Sequence, residues 1–325
     1  MSYTLQQTIN FCQTYIEYSP LTAGTNLEPA ISIANMVRNS IINPPLTWPW
    51  NRNEYLINTP NSPASLTINQ QDYIFNITDF AYLETISLLS TDGNDGFQIN
   101  DIYNTNTLAV ASPTQVAQPN SASVKFYTPN TSVAIRFLSI PDQNYTGVIT
   151  YQKLATPFQG FAFQAVEVIS GVAFYLFSVA QPSAASNGLA GQTVQVNGFD
   201  IGANNGSFVC TASTSTMLTL TNPAAVTDVV STPGPASGVI GTWSPIPDSY
   251  VDVYNNLFLA EALAIAGDER EQLYRQRGVA ALLSKSEGLS EMQKNYFMMQ
   301  WIARGTSQQM AAQMRVQQGS SARGV

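Results

Sequence analysis

Residues 244–305 read SPIPDSYVDVYNNLFLAEALAIAGDEREQLYRQRGVAALLSKSEGLSEMQKNYFMMQWIARG. Apolar residues recur in this stretch every three or four positions, a period that predicts amphipathic helices. The stretch follows a long region of short apolar runs separated by Pro, Asn, Ser and Thr, and eight of the 13 Lys and Arg residues lie from Arg270 to Arg323. We therefore expect a β-rich body joined to a helical C-terminal part that holds most of the Lys and Arg residues and fits into a larger assembly.

Three helices are predicted in this C-terminal part. The first is expected to end at Gly267, because glycine suits the left-handed position after a helix, and Asp268 can start the second. Ser290 and Gln293 have the spacing of a capping box, which predicts the start of the third. The apolar positions of the three helices are, in turn, Val251, Tyr254, Leu257, Phe258, Ala262 and Ile265; Leu273, Val279, Leu282 and Leu283, expected on the buried side; and Met292, Tyr296, Met299 and Ile302.

Two further helices are predicted near the N-terminus. Their apolar stripes are Leu5, Ile9, Cys12 and Ile16 in the first helix and Ala30, Ile33, Val37 and Ile41 in the second. Asn26 offers an N-cap for the second helix, and the sequence Asn43-Pro44-Pro45 stops it because a residue that precedes proline leaves helical space. Trp48-Pro49-Trp50 then predicts a rigid aromatic corner.

Short strands are predicted after this corner. They are expected at 54–57, 73–77, 82–89, 97–102, 124–127, 133–138 and 148–152, and their alternation of apolar and polar residues is typical of a half-buried antiparallel sheet. Residues 92–96 read DGNDG, a hairpin signal. The spacing predicts an antiparallel β-sandwich or small barrel, so that the fold class is α+β, a β body packed with N- and C-terminal helices.

A second β texture begins near residue 161. It contains GQTVQVNGFDIGANNGSFVCTASTSTMLTLTNPAA, and it predicts a small all-β sandwich inserted into a loop of the first part. The predicted domains are therefore a core of helices and β-sandwich in 1–160 and 242–305, an inserted module in 161–241, and a flexible C-terminal tail in 306–325.

Composition excludes several classes of function. The net charge is −8, and no Lys or Arg occurs between Lys153 and Arg270, which argues against phosphate binding by this segment. The chain has no histidine, which excludes Ser-His-Asp catalysis and histidine metal sites. Cys12 and Cys210 are expected to be two buried free thiols rather than a disulfide. The start MSYTLQQTIN lacks a secretory signal, so we expect synthesis in the cytoplasm.

Several residue groups have both a functional and a plain structural interpretation. Asp92, Asn94 and Asp95 suggest a calcium loop, although a hairpin turn fits their spacing better. The scattered acids could include a glycosidase pair, although solvated surface carboxylates are the commoner case. The aromatic residues could line a sugar-binding face or fill a core; they are Trp48, Trp50, Tyr73, Phe75, Tyr82 and Tyr103.

The basic C-terminal residues are candidates for a partner interface. Those between Arg270 and Lys285 alternate with Asp268, Glu269 and Glu271, as in a solvated helix face or in a charge seam between subunits. The tail is rich in Met and Gln, which favours a segment that orders on docking over a disordered end. The predicted interface residues are Arg270, Arg275, Arg277, Met298, Met299, Trp301, Arg304, Met310, Met314, Arg315 and Arg323.

The order of parts resembles a known family. LTWPWNRNEY after two helices, PIPDSYVDVYN at the entry to the C-terminal helices, and SEGLSEMQKNYF are similar to the head-to-tail adaptor proteins of tailed bacteriophages, also called connector or gatekeeper-type neck proteins. The resemblance covers 1–158 and 242–304. The stretch GANNGSFVCTASTSTMLTLTN resembles the immunoglobulin-like β-modules of phage structural proteins.

The resemblance implies a structural virion protein rather than an enzyme. It implies a ring of about twelve copies that joins the portal protein to the tail or nozzle proteins and forms part of the DNA channel without binding DNA specifically. It also implies that 306–325 docks on the portal, that no membrane, cofactor or metal is involved, and that the protein lies at the neck of the virion. A low density of Lys and Arg suits a channel for DNA.

Two alternatives remain open. The inserted module could be a carbohydrate- or receptor-binding surface of the virion, using Phe174, Tyr175, Phe177 and Phe199. The other alternative is a glycosidase. Glycan binding by 161–241 would favour the carbohydrate- or receptor-binding module. Loss of activity on changing carboxylates to amides would favour the glycosidase.

Overall fold

The computed structural model is an α+β fold in two compact units. One unit comprises Met1–Ile41 and Thr156–Val325, and the other comprises Ile42–Ala155. The C-terminal helices are thus grouped with the strands that follow residue 156, whereas the sequence-based division grouped them with the first β region. The structure describes residues 3–16, 28–57, 66, 70–90, 96–99, 101–103, 116–128, 132–155, 157–229, 236–240, 243, 245–286 and 288–301.

The two N-terminal helices bury the stripes that the sequence predicts. Helix α1 spans Leu5–Gln13, and Thr4 caps it with Gln7 in a capping box. Helix α2 spans Ala30–Ile42. All eight predicted stripe residues are buried, although Ile16 lies beyond the end of α1. The predicted N-cap Asn26 lies outside the described residues.

The C-terminal helices also occur where the sequence predicts them. Helix α3 spans Val251–Ala266 and ends at Gly267, which has φ 73° and ψ 25°. This left-handed conformation costs glycine little, so the predicted C-cap is confirmed. Helix α4 spans Glu271–Ser284. Helix α5 is described over 291–301, and the Ser290–Gln293 capping box is present because each residue's backbone N–H donates to the other's side chain, at 2.9 and 3.3 Å.

Two four-stranded sheets form the unit Ile42–Ala155. One sheet has the order β1-β8-β3-β4 and the other β2-β7-β6-β5. The strands are β1 Arg52–Ile57, β2 Asp72–Phe75, β3 Phe80–Ser90, β4 Gly96–Ile99, β5 Asp101–Tyr103, β6 Ser121–Thr128, β7 Ser132–Phe137 and β8 Tyr145–Lys153. Among the strand pairs of the described residues only β5–β6 is parallel, and one isolated parallel bridge joins Val116 to Ile140. Both sheets contribute to one apolar core, which includes Ile86 and Ile149 from the first sheet and Phe75 and Ile135 from the second.

The aromatic corner is fixed to the first sheet by a buried amide. Gln152 on β8 is fully buried; its Oε1 accepts from Trp48 N (3.3 Å) and its Nε2 donates to Trp48 O (3.1 Å). The same Nε2 donates to Glu84, which forms an ion pair with Arg52 (2.7 Å). The ring of Trp50 stacks on Trp48 at 5.2 Å. The predicted corner is therefore held by hydrogen bonds from Gln152 to both the backbone N–H and the backbone C=O of Trp48.

The second sheet carries a charge cluster at the β2–β7 edge. Asp72 accepts hydrogen bonds from Arg136 Nε and Nη2 (2.7 and 2.8 Å) and pairs with Lys125 (2.7 Å). These bonds favour the carboxylate, so the pKa of Asp72 is lowered to about 2, with the bond from Arg136 as the largest cause. The cluster ties β2, β7 and β6 together on the outer side of the sheet.

A closed antiparallel barrel occupies 159–240 in the other unit. Six strands follow one another in the order β10-β13-β12-β11-β15-β9, and β9 pairs with β10 to close the circle; β14 adds a short pairing with β9. The strands are β9 Gln159–Ile169, β10 Val172–Phe177, β11 Thr193–Asn197, β12 Gly206–Ser213, β13 Met217–Leu220, β14 Asp228–Val229 and β15 Ala236–Ile240.

Barrel closure replaces the two-sheet sandwich that the sequence predicts for this segment. The long strand β9 makes this possible, because its residues from 159 to 163 pair with β15 and its residues from 163 to 169 pair with β10. A register shift between Leu176 and Phe177 bends the β9–β10 ladder. Inside the barrel, Gly238 gives room to Phe163, since a Cβ at Gly238 would lie 2.4 Å from that ring.

The two ends of the barrel segment meet at Trp243. Its indole is fully buried, stacks on Tyr254 of α3 at 4.2 Å and contacts the edge of Phe158 at 5.2 Å. The indole Nε1 donates to Thr8 Oγ1 of α1 (3.0 Å). The side chain of Asn35 on α2 bonds to both backbone groups of Phe158, at 2.8 and 3.0 Å. Helices α1, α2 and α3 and the two chain ends of the barrel segment therefore meet at one buried aromatic junction.

A prediction concerns the close approach of β8 to β3. A Cβ at Gly147 would lie 2.1 Å from Ser87 O, a backbone atom that cannot move aside, whereas a Cβ at Gly96 would meet nothing closer than 3.5 Å. Gly147→Ala should lower the free energy of unfolding by about 2–3 kcal/mol, and the control Gly96→Ala should change it by less than about 0.5 kcal/mol. Urea denaturation of both variants checks this, and equal effects would contradict the geometry.

Candidate assembly surface

Helix α3 is the centre of the helical part. Ten of the eleven residues from Val253 to Leu263 are buried, Asn256 being the exception, so buried side chains lie on every side of the helix. A helix that is apolar all round is one that other elements cover on all sides. Ile265, in its last turn, is 57% exposed. Of the predicted stripe, Tyr254, Leu257, Phe258 and Ala262 are buried, whereas Val251 is half-buried and Ile265 is exposed.

Helix α4 packs closely on α3 at a glycine. A Cβ at Gly278 would lie 2.6 Å from Leu257 Cδ2 and 3.2 Å from Leu257 N, so only glycine allows this separation of the two backbones. The buried side of α4 is formed by Glu271, Tyr274, Arg275, Gly278 and Leu282. Leu273, which the sequence predicts on the buried side, is 47% exposed. The prediction failed because it followed hydropathy, while this interface uses a glycine and charged groups.

A buried charge cluster joins α3 to α4. Arg275 Nη1 donates to Glu261 Oε1 (2.6 Å), and Arg275 Nη2 donates to Glu271 Oε2 (3.2 Å). The side chains are 6%, 6% and 10% exposed, respectively. Charges removed from water to this degree need partners, because an isolated buried charge is strongly destabilising. The planar guanidinium meets this need by donating to two carboxylates at once.

Helix α5 is anchored to the same cluster. The Arg275 guanidinium lies over the ring of Trp301, 5.5 Å from its centroid, and Phe297 lies one turn earlier, 6.1 Å from Trp301. Both aromatic side chains are fully buried. A cation over an indole face is a favourable contact, and it is stronger away from water. The orientation of α5 is therefore fixed by one buried face.

The opposite side of α5 presents an exposed apolar stripe. Met292, Tyr296 and Met299 are 76%, 45% and 70% exposed, and their spacing of four and three residues places them in one row along the helix. Met298 is half-buried between the two faces. Exposed methionines are typical of adaptable binding surfaces. We call Met292, Tyr296 and Met299 the α5 stripe.

The predicted interface residues fall into three groups. Arg270 and Arg277 are exposed, as are Met299 and, in part, Met298. Arg275 and Trp301 are buried, which corrects the expectation that they contact a partner: they hold the three helices together from inside. The residues Arg304, Met310, Met314, Arg315 and Arg323 lie outside the described part of the chain.

The C-terminal helices combine exposed ion pairs, as expected for a solvated helix face, with one buried cluster that lies within the chain. Arg270 pairs with Asp268 (2.6 Å) at the surface, and Lys285 pairs with Asp252. Arg275 is the exception, since its i,i+4 pair with Glu271 is buried. Arg277 lies over the ring of Tyr274 at 5.4 Å. The solvated pairs contribute little to stability, whereas the buried cluster determines how the helices pack.

The aromatic residues proposed for sugar binding lie mainly in cores. Tyr175, Phe177 and Phe199 are buried inside the barrel, and Phe174 is half-buried. Of the six aromatic residues near the first sheets, Trp48, Tyr73, Phe75 and Tyr82 are buried, and Tyr103 is 42% exposed. A sugar-binding face needs several exposed rings, and among these residues only Tyr103 is exposed. The candidate calcium loop at 92–95 lies outside the described residues.

Groups suited to catalysis or metal binding were also located. Over the residues that the structure describes, no three His, Cys, Asp or Glu side chains gather where they could hold a metal ion. Cys12 and Cys210 are free and buried, as predicted, and burial raises the pKa of the Cys12 thiol to about 12. Such a thiol is a poor nucleophile at neutral pH. No helix in the described ranges has both the length and the apolar character required to cross a bilayer.

A prediction tests the buried charge cluster. Arg275→Ala leaves two carboxylates buried without their donor, so it should lower the free energy of unfolding by about 3–5 kcal/mol. The matched control is Arg270→Ala, which removes an exposed cation near the start of the same helix and should cost less than about 1 kcal/mol. Thermal unfolding followed by circular dichroism compares the two, and similar losses in both variants would contradict the assignment.

Comparison with known proteins identifies no relative of this chain. No protein-family model matches it. No curated protein and no solved structure is significantly similar to it. A functional proposal therefore rests on the sequence patterns and on the surfaces described above.

Proposed function

We propose that this protein is a structural virion subunit, a head-to-tail adaptor that forms a ring between the portal and the tail of a bacteriophage. The observation that carries the proposal is the double-sided helix α5. One of its faces is buried through Phe297 and Trp301, and the other exposes the α5 stripe. A rigidly held helix with an unpartnered apolar row is suited to binding a partner protein.

The placement of α5 in the chain supports a docking role. The described part of this helix ends at residue 301, and four residues separate it from 306–325, the basic segment for which the sequence resemblance implies portal binding. The α5 stripe and this segment are close in sequence, so one partner could contact both. The buried Arg275–Glu261–Glu271 cluster supports the role as well, because it fixes α5 before any partner binds and so reduces the entropy lost on association.

The charge distribution supports a place beside the DNA path. Residues 154–269 contain no Lys or Arg. The exposed charges of the barrel, such as Glu167 and Asp200, are acidic. An acidic surface repels phosphates, so DNA would pass without being retained. In this proposal the ring has about twelve copies, and the barrel is an inserted module of the adaptor subunit.

The insertion itself is supported by the junction at Trp243. Phe158 and Trp243, which flank the barrel segment, are 5.2 Å apart between ring centroids. Domains are inserted most readily when their two ends lie close together. The alternative of a carbohydrate-binding module receives no comparable support, because Tyr175, Phe177 and Phe199 are buried.

A binding experiment tests the role of the α5 stripe. The double variant Met292→Ser/Met299→Ser should reduce co-purification with the portal protein about tenfold or more, since it removes two exposed apolar anchors. The matched control is Val179→Ser, which removes a side chain that is 68% exposed on the barrel and should leave binding unchanged. A chain that ends at Arg304 separates the contribution of the stripe from that of the tail.

The outcome that contradicts the docking role is full portal binding by the double variant. The wider proposal is tested by cryo-electron microscopy of purified particles, where the chain should account for density at the portal–tail junction. Density for the chain elsewhere in the particle would contradict the adaptor function.

A further inference from the structure

The outer face of the β9–β10 hairpin is unusual for the wall of a β-barrel. Ile169 and Val172 are paired in register and are 57% and 41% exposed. The next outward pair consists of Glu167, which is exposed, and Phe174, which is half-buried. Alternate residues of a strand face opposite sides, so these four side chains share one surface. We call Glu167, Ile169, Val172 and Phe174 the hairpin face.

Glu167 is a lone charge in this apolar surrounding. No Lys or Arg of the described residues forms an ion pair with it, and the sequence from 154 to 269 contains none. An exposed carboxylate flanked by Ile169 and Phe174 would recognise a surface that combines a cation with apolar groups. A nucleic acid does not offer that combination with the right sign.

The outer side of α4 has the complementary character. Leu273, Arg277 and Ala280 are exposed and lie at i, i+4 and i+7, which places them in one row. Within the described residues no carboxylate forms an ion pair with Arg277, whose guanidinium instead lies over the ring of Tyr274 at 5.4 Å. We call Leu273, Arg277 and Ala280 the α4 face. It is a mainly apolar row with a single cation.

We infer that the hairpin face of one copy binds the α4 face of a second copy of this chain, with Glu167 opposite Arg277. Both faces are exposed in a single chain, so each is available to a second copy. Because the two surfaces differ, the contact is heterologous, and its repetition produces a ring when the rotation between copies closes. The inference deepens the proposed function, on which it rests for the closed ring, by assigning the subunit–subunit contact.

Reversal of each charge and of both together tests the contact. Sedimentation velocity of the full-length protein over a dilution series measures the concentration at which the assembly dissociates into single chains. Glu167→Arg and Arg277→Glu should each raise this concentration about tenfold or more, because each places like charges opposite one another. The double variant Glu167→Arg/Arg277→Glu should return to within about threefold of the wild type. The controls Glu54→Arg and Lys153→Glu make the same changes of net charge in the other compact unit and should assemble normally.

The neutral variants Glu167→Gln and Arg277→Gln provide a second measurement if a reversal impairs folding, as judged by circular dichroism; each should weaken self-association by about threefold to tenfold. A monomeric wild type, single reversals that assemble like the controls, or a double variant without recovery would each overturn the inference. Charge-dependent assembly combined with particle density away from the portal–tail junction would retain this contact and contradict the adaptor function alone.

Discussion

The packing of Trp243 is the interaction on which the larger compact unit depends. Its indole contacts α3 through Tyr254, α1 through the bond to Thr8, and the start of the barrel through Phe158. The chain enters the barrel segment after Phe158 and leaves it before Trp243. Because these two rings are in contact, closing the barrel segment costs little additional entropy. A large aromatic ring also buries enough apolar area to order several elements at once. The helices and the barrel are thereby combined in one folding unit.

The C-terminal helices use a different physical device. At the centre of their interface, Gly278 brings two backbones together and Arg275 satisfies two buried carboxylates. Buried ion pairs contribute less to net stability than to a defined arrangement, because desolvation offsets much of their attraction. Here the arrangement fixes Trp301 and hence α5. Apolar side chains that would normally enter a core, among them Met292 and Met299, remain at the surface, where a partner can reach them.

Much of this fold could be predicted because local patterns determine it. The period of apolar residues located α1, α2 and α3, and the glycine and capping-box signals located the ends of the C-terminal helices. Alternation and turn residues located the strands of the first two sheets, except that the single strand predicted at 97–102 is two strands, β4 and β5, which belong to different sheets. Closure of the barrel could not be predicted, because it depends on one long strand, β9, pairing with both β10 and β15. Hydropathy likewise predicted Leu273 inside and Arg275 outside, the reverse of the structure. Arg275 is buried because folding brings Glu261 and Glu271 to it, and hydropathy carries no information on such pairs.

Hydrogen exchange measured by mass spectrometry on Trp243→Leu tests the central claim most directly, with Trp50→Leu as a control in the other compact unit. If Trp243 couples the elements around it, the variant should lose protection together in α1, in α3 and in the barrel strands β9 and β15, by a common amount of about 3 kcal/mol. The control should leave those segments unchanged. A loss confined to the residues that adjoin position 243, with α1 and the barrel as protected as before, would contradict the account.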